Sequence, residues 1–264
     1  MIDSENFTRA CLALRDNSPL ILNITNHVAM NFTANALLAA GASPMMTVCG
    51  EEVEELVGLS SALVLNIGCL DTGQIALMRK AATAAVRMGK PWVLDPVGAG
   101  ASRLRTETSL SLIGEFGPSV IRCNASEIRA LAGEKVLSRG VDAACAGEEA
   151  LESAKIVAGR TGAVVSVSGP VDYVTDGTVV ETIANGGPLM PRVTAMGCAA
   201  TALTGAFLAV DAGAFDAALD AMAMMGVAGE LAAKDCPGPG SLAVRFIDEL
   251  GGFVPQQAAK FIRQ

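Results

Sequence analysis

Short apolar runs alternate with helix-like spacing through most of this 264-residue chain. The runs are rich in Val, Ile and Leu and have the length of buried strands, and the segments between them have the spacing of helices. This alternation is typical of βα units around a mainly parallel sheet. The predicted strands are residues 20–24, 45–48, 62–67, 92–96, 120–123 and 164–167. The predicted helices between them are residues 31–40, 74–88, 107–116, 125–132 and 147–159.

The pattern changes after residue 168. Two further strand-like segments, residues 171–175 and 178–184, flank Asp176-Gly177, which is a hairpin signal. The remainder is predicted to be helical over residues 198–210, 217–232 and 241–250. No linker or internal repeat divides the chain, so we expect one α/β domain over residues 1–264.

The composition favours a large core and argues against several classes of partner. Hydrophobic residues make up 51% of the chain and charged residues 17%, so there is ample apolar material to bury. The formal net charge is −8 and no cluster of Lys and Arg stands out, which argues against nucleic acid and anionic membranes. Seven scattered cysteines without a C-x-x-C pair, and an N-terminus unlike a signal peptide, indicate a cytoplasmic protein with reduced thiols.

Residues 193–210 carry no charge over a length that could cross a membrane. They contain mostly Ala, Thr and Gly, they end at Asp211, and no positive flank anchors them. We therefore expect a helix that is buried inside a soluble protein.

The start of that uncharged segment, residues 193–198 (VTAMGC), is the strongest candidate site. Gly197 permits a close approach to the backbone. Cys198 falls in the first helical turn, where free N–H groups and the helix dipole bind anions. A thiol there is expected to have a lowered pKa and to act as a base or nucleophile. The alternative is an inert buried cysteine.

Polar and glycine-rich segments follow the predicted strands, at the edge where an open α/β sheet binds its ligand. Two acidic residues among them, Asp95 and Glu127, are candidate magnesium ligands, because carboxylates beside phosphate-sized space bind Mg²⁺, usually with water. Each also has a structural interpretation. Asp95 can end a tight strand-to-helix turn before an N-cap at Ser102, and Glu127 can form a capping box with Asn124.

Three other residues in these segments allow two interpretations each. Arg122 can pair with a phosphate or extend its head to solvent at the sheet rim. Ser168 can contact a nucleotide phosphate or belong to a plain turn. His27, the single histidine, is expected to have a loop role and no catalytic one.

Residues 25–35 (TNHVAMNFTAN) and 41–46 (GASPMM) strongly resemble the N-terminal signature of the hydroxyethylthiazole kinase family. The motifs DPVGA at 95–99, RCNASE at 122–127, GC at 197–198 and GPGS at 238–241 match in the same order, so the resemblance covers nearly the whole chain. It implies a ribokinase-like, three-layer αβα sandwich with a mainly parallel sheet and without the lid of the sugar kinases. It also implies a homotrimer with active sites between subunits.

The reaction that this resemblance implies is transfer of the γ-phosphoryl group of ATP to the hydroxyl of 4-methyl-5-(2-hydroxyethyl)thiazole. This is a salvage step towards thiamine that uses Mg²⁺. The implied roles are substrate binding by Asn26, Met46 and Ala195, magnesium binding by Asp95 and Glu127, ATP binding by Arg122 and Ser168, and catalysis by Gly197 and Cys198, with Cys198 as the base.

The chain departs from the family pattern at three points. Ala195-Met196 stand where Gly-Thr is common, Ser168 replaces Thr, and Pro170 replaces an acidic residue. The first departure motivates an alternative, a degenerate trimeric binding protein without activity. A second alternative is an ATP-dependent lyase that repairs hydrated nicotinamide cofactors, a group that lacks the signature at 25–35. A dinucleotide-binding oxidoreductase is disfavoured, because no G-x-G-x-x-G follows the first strand.

Overall fold

Eight strands form one sheet in the computed structural model, which describes residues 2–134, 147–211 and 213–264. They are β1 (Leu20–Ile24), β2 (Ser43–Met46), β3 (Ala62–Asn66), β4 (Trp92–Asp95), β5 (Val120–Asn124), β6 (Val164–Ser168), β7 (Asp172–Thr175) and β8 (Val180–Ile183). The strand order is β2-β1-β3-β4-β5-β6-β7-β8.

The α-helices lie between and after the strands. They are α1 (Ser4–Asn17), α2 (Met30–Ala40), α3 (Val53–Leu59), α4 (Thr72–Arg87), α5 (Arg103–Phe116), α6 (Ala125–Ala132), α7 (Gly147–Thr161), α8 (Met196–Leu208), α9 (Ala214–Ala233), α10 (Pro239–Gly251) and α11 (Pro255–Ala258). Two buried apolar clusters, one on each side of the sheet, give the expected three layers.

The sheet is parallel from β2 through β6, and β7 and β8 complete it as an antiparallel edge. From β1 the chain first adds β2 on one side and then β3 on the other side. In open α/β sheets the crevice for a ligand lies outside the carboxyl ends of the strands, where the order reverses in this way. The topology therefore directs attention to the residues that follow β1 and β3.

The uncharged segment noted in the sequence is a buried helix, as predicted. Most residues of α8 are buried, and α8 packs against β1, β3 and β4. Gly205 permits the contact, because a Cβ at that position would lie 2.6 Å from Cγ2 of Val64 on β3. Within the described parts of the chain, no helix is long and apolar enough to cross a membrane.

Most predicted elements are confirmed within one to four residues, and the differences have simple causes. The predicted second strand, residues 45–48, is wrong by two residues, because the observed strand β2 begins at Ser43. Strand β2 includes Pro44, which an edge strand tolerates. The N-terminal helix α1 was not predicted. Its capping residue Asp3, whose side chain accepts hydrogen bonds from Glu5 and Asn6, is the signal that sequence reasoning missed. Helix α10 begins at Pro239, ahead of the predicted start at residue 241.

Candidate active site

The carboxyl ends of β1, β3, β4 and β5 place a group of polar side chains around the N-terminus of α8. Asn26 follows β1, Asn66 ends β3 and Asp95 ends β4, and the last two are register partners in the sheet. Each of the three side chains is at least 90% buried. Buried polar groups require partners, so their hydrogen bonds define the site.

Helix α8 begins with backbone N–H groups that have no capping side chain. Ala195 is the N-cap and has a left-handed backbone (φ 67°, ψ 1°), and its methyl group cannot accept a hydrogen bond from the first turn. The first intrahelical bond at this end runs from N–H of Ala199 to the carbonyl of Ala195. Unpaired N–H groups and the helix dipole at such a helix end are favourable to an anion.

Cys198 lies in this first turn and is held by two amides. Nδ2 of Asn26 lies 3.4 Å and Nδ2 of Asn66 lies 3.1 Å from the Cys198 sulfur, so both amides donate to it. Oδ1 of Asn26 accepts from N–H of Ala29, which fixes the orientation of that amide. The sulfur is therefore a hydrogen-bond acceptor on a partly exposed residue and not an inert core atom.

The expectation of a lowered pKa at Cys198 is wrong. Burial, and then the charge of Asp95, raise the pKa of the Cys198 thiol to about 11, although the two amides and Arg122 act in the opposite direction. The helix N-terminus does not overcome desolvation at this position. Cys198 is therefore a neutral thiol at pH 7 in the protein without ligands.

Asp95 is buried at the centre of the group. Its Oδ2 accepts from Nδ2 of Asn66 at 2.6 Å and from Oγ1 of Thr201 at 2.7 Å. Burial raises the pKa of Asp95 to about 7, although the charge of Arg122 lowers it. Thr201 lies one turn beyond Cys198 on α8, so the helix is tied directly to this carboxylate.

Glu127 has the structural role that its motif predicted. It forms the predicted capping box, in which Oε2 accepts from N–H of Asn124 and the Asn124 side chain accepts from N–H of Glu127. Its Oε1 accepts from N–H of Gly98 in the loop after β4. Burial raises the pKa of Glu127. The capping carboxylate thus also fastens the loop that follows Asp95.

Arg122 is buried and does not extend to solvent at the sheet rim. Its Nη2 donates to Oγ of Ser168, and Nε has no hydrogen-bond partner among the described residues. A Cβ built at Gly197 would lie 2.9 Å from Nη1 of Arg122. The guanidinium therefore lies against the N-terminus of α8, where an anion would meet both.

The charge balance of this region fits a divalent cation. Asp95, Glu127 and Asp172 are all buried with raised pKa values, and burial is the largest cause for each. Arg122 is the cation that acts on all three. No cluster of three metal-ligating side chains occurs within the described residues. Mg²⁺ takes one or two carboxylates and completes its shell with water and phosphate oxygens, and Asp95 and Glu127 are two such carboxylates.

Two residues that sequence reasoning missed hold the loops of the site. Arg105 donates to the carbonyls of Ile67, Gly68 and Val97, which joins the loops after β3 and β4. Asp172 accepts from N–H of Gly169 and so fixes the turn after Ser168. The signal for Arg105 was weak, since a charged residue early in a helix usually reaches solvent.

The remaining predicted site residues lie around this network. Met46 ends the edge strand β2 beside β1, partly exposed at the same edge of the sheet as Asn26. Ala195 precedes the first turn of α8. His27 is exposed in the loop after β1.

A family model decides the relationship to known proteins. The model described as "Hydroxyethylthiazole kinase family" matches residues 12–256, which is most of the chain. The chain belongs to this family. A relative called hydroxyethylthiazole kinase from Brachyspira hyodysenteriae is 49% identical over 251 residues, 95% of each chain. Another with that name, from Nitratidesulfovibrio vulgaris, is 52% identical over 238 residues, 90% of this chain and 89% of the relative.

Solved structures confirm the expected fold class of the family. A hydroxyethylthiazole kinase protein from Pyrococcus horikoshii superposes with a TM-score of 0.87 and 42% identity over 94% of each chain. Pyridoxal kinase from Staphylococcus aureus superposes with a TM-score of 0.63 and 18% identity over 80% of this chain and 88% of that one, which supports the fold alone. The fold is ribokinase-like, and all eight strands of the described residues belong to the one sheet, with none left for a separate lid.

Proposed function

We propose that this protein transfers the γ-phosphoryl group of ATP to the hydroxyl of 4-methyl-5-(2-hydroxyethyl)thiazole, in a salvage route towards thiamine. Membership of the hydroxyethylthiazole kinase family supports the reaction class. One observation carries the proposal: the amide of Asn66 donates to Asp95 and to the sulfur of Cys198, which lies in the first turn of α8. An acceptor for a proton and an anion site thus lie together.

The phosphate end of the proposed reaction is the N-terminus of α8 with Arg122 and Ser168. Phosphoryl transfer passes through a loose transition state, so neutralising charge on the transferred group is the main task. The N–H groups around Gly197 would stabilise the equatorial oxygens. Arg122 is oriented by Ser168, and its buried Nε–H has no partner in the part of the chain that the structure describes, so it would bind a phosphate of ATP.

Asp95 and Glu127 would hold the magnesium ion of MgATP. When bound, Mg²⁺ supplies positive charge that neutralises the phosphate oxygens. Both oxygens of Glu127 already accept backbone N–H groups, so its contribution is expected through water. The same cation would lower the pKa values of these two carboxyls, which burial raises.

The hydroxyl end of the proposed reaction is formed by Asn26 and Cys198. Asn26 would bind the substrate hydroxyl next to the sulfur, with which it already shares a hydrogen bond. Cys198 would then accept the hydroxyl proton as its thiolate. Because the pKa of the thiol is about 11 without ligands, the reactive fraction at neutral pH is small, and the rate is expected to rise with pH.

Met46 and Ala195 would line the thiazole ring. Met46 lies on the edge strand β2, whose outer side is open in a single chain. That exposure suits a site completed by a neighbouring subunit, and we propose a cytoplasmic homotrimer with active sites between subunits. We also propose that residues 1–264 form one kinase domain.

Product analysis tests the proposal directly. The protein is incubated with MgATP and a panel of small alcohols that includes thiazole and pyrimidine alcohols, with Cys198→Ala purified in parallel as a control for contaminating kinases. The expected result is ADP and the phosphate ester of the thiazole alcohol from the parent protein, formed about 10²–10⁴-fold more slowly by Cys198→Ala. ATP consumption that requires a hydrated nicotinamide cofactor would favour the repair lyase, and no turnover above the blank would favour the degenerate binding protein.

A further inference from the structure

Asn66 makes more contacts to the site than any residue named from the sequence. Its side chain is 1% exposed at the end of β3. Nδ2 donates to Oδ2 of Asp95 at 2.6 Å and to the sulfur of Cys198 at 3.1 Å. Oδ1 accepts from Nδ2 of Asn26 and from N–H of Gly68, both at 2.9 Å. Both amide hydrogens and both lone pairs of the oxygen are therefore used.

The orientation of the Asn66 amide follows from its neighbours. The backbone N–H of Gly68 can only donate, so the atom that faces it is the oxygen. The carboxylate of Asp95 can only accept when ionised, so the atom that faces it is the NH₂ group. The NH₂ group of a neutral amide can donate to a carboxylate and to a sulfur at the same time without adding charge.

We propose that Asn66 is a positioning residue for phosphoryl transfer, which sets the Cys198 sulfur relative to Asp95 and to the substrate amide Asn26. This inference rests on the function proposed above. Asn66 does not touch the reacting atoms itself. It holds the sulfur of Cys198, the proposed proton acceptor, beside the carboxylate of Asp95, the proposed magnesium ligand. Loss of the Asn66 amide would remove a hydrogen bond from each of these two groups.

Thr201 offers a matched control for one half of this role. Its hydroxyl donates to the same Asp95 oxygen at 2.7 Å and makes no hydrogen bond to Cys198. Thr201→Val keeps the shape of the side chain and removes that donor. If Asn66 acted only through Asp95, Asn66→Ala and Thr201→Val would have the same effect on the kinetics.

The test is a double-mutant cycle between Asn66→Ala and Cys198→Ala in kcat for the thiazole alcohol. Cys198→Ala is expected to be about 10²–10⁴-fold slower, which a radiolabelled γ-phosphoryl group still detects. Asn66→Ala is expected to lower kcat about 10- to 100-fold in the parent background, because a donor to a charged or developing charged group is lost. In the Cys198→Ala background, Asn66→Ala is expected to lower kcat by no more than Thr201→Val lowers it in that same background.

Equal losses from Asn66→Ala in both backgrounds would overturn the positioning role. Thermal unfolding checks each variant, and Asn66→Leu, which keeps about the size of the side chain and removes its donors without adding charge, replaces Asn66→Ala if the latter does not fold. An active parent with additive losses contradicts this inference alone. A parent that forms no phosphorylated thiazole contradicts the proposed function and this inference with it.

Discussion

Arg122 and Gly197 are packed so closely that a Cβ on the glycine would lie 2.9 Å from Nη1 of the guanidinium. Arg122 is buried and tied to Ser168, so it cannot move aside without losing a hydrogen bond. We therefore expect Gly197→Ala to raise KM for ATP about tenfold or more, because it displaces the cation proposed to bind phosphate. Steady-state kinetics with varied MgATP measure this.

Gly114→Ala is the matched control for that substitution. Gly114 is also helical, and a Cβ there would meet nothing within 4 Å. Its replacement is expected to leave KM for ATP unchanged and to stabilise helix α5 by up to about 1 kcal/mol. An unchanged KM for ATP in Gly197→Ala would contradict the assignment of Arg122 to the nucleotide.

The backbone of Ala195 predicts a gain of stability on substitution by glycine. Ala195 has φ 67°, a left-handed conformation that costs an L-residue about 1–2 kcal/mol. Ala195→Gly removes the strain and adds chain entropy to the unfolded state, so we expect a net gain of about 0.5–1 kcal/mol in the free energy of unfolding. Urea unfolding measures it.

Ser18→Gly separates this effect from the site. Ser18 has φ 43° at the end of α1, where it caps the helix away from the active site. It is expected to change stability in the same direction and to leave kcat unaltered. A lower unfolding free energy in Ala195→Gly would show that the loop before α8 is not strained.

Asp220 makes stability depend on pH. Burial, and then the charges of Asp211, Asp216 and Asp3, raise the pKa of Asp220 to about 8. The folded state keeps the proton that the unfolded state releases near pH 4, so stability falls as the pH rises from about 4 to 8. Asp220→Asn is therefore expected to raise the free energy of unfolding relative to the parent. This stabilisation is expected to be more than about 1 kcal/mol greater at pH 8 than at pH 5.

Asp248→Asn controls for the general loss of a negative charge. Asp248 is an exposed residue of α10, so its replacement removes one negative charge without altering a buried group. Urea titrations of the parent and both variants at several pH values supply the comparison. A pH-independent effect of Asp220→Asn would contradict a buried, protonated carboxyl.

The pH dependence of the rate tests the state of Cys198. With a pKa of about 11 in the free protein, a thiol that acts as base is expected to give a kcat that rises with pH between 7 and 9.5, by up to about tenfold per unit. Cys198→Asp is expected to retain substantial activity and a flatter profile, because a carboxylate is ionised at neutral pH. A flat profile for the parent would contradict proton transfer to the thiol.

Sequence reasoning located strands and site motifs well where the signal was local. The capping box of Asn124 and Glu127, the N-cap at Ser102 and the buried helix after Gly197 all follow from short-range patterns, and the structure confirms them. The strand ends also brought Asn26 and Asp95 to one edge, because parallel strands end on the same side of the sheet.

What the sequence did not reveal depends on contacts between distant segments. Asn66 was placed inside a predicted strand, and its importance appears only from its register with Asp95 and its contact with Cys198, 132 positions along the chain. The predicted direction of the pKa shift at Cys198 was wrong, because the helix end could be read from the sequence and the burial of the thiol could not. Local patterns therefore gave the parts of the site, and packing decided their chemistry.

The effect of Cys198→Ala on kcat tests the central claim most directly, since the claim is that the sulfur at the start of α8 takes the substrate proton. With MgATP and the thiazole alcohol at pH 8, the account predicts a kcat lower by about 10²–10⁴-fold with KM for the alcohol little changed. Cys49→Ala, which alters an exposed cysteine outside the site, should match the parent. A kcat for Cys198→Ala equal to that of the parent would contradict the account.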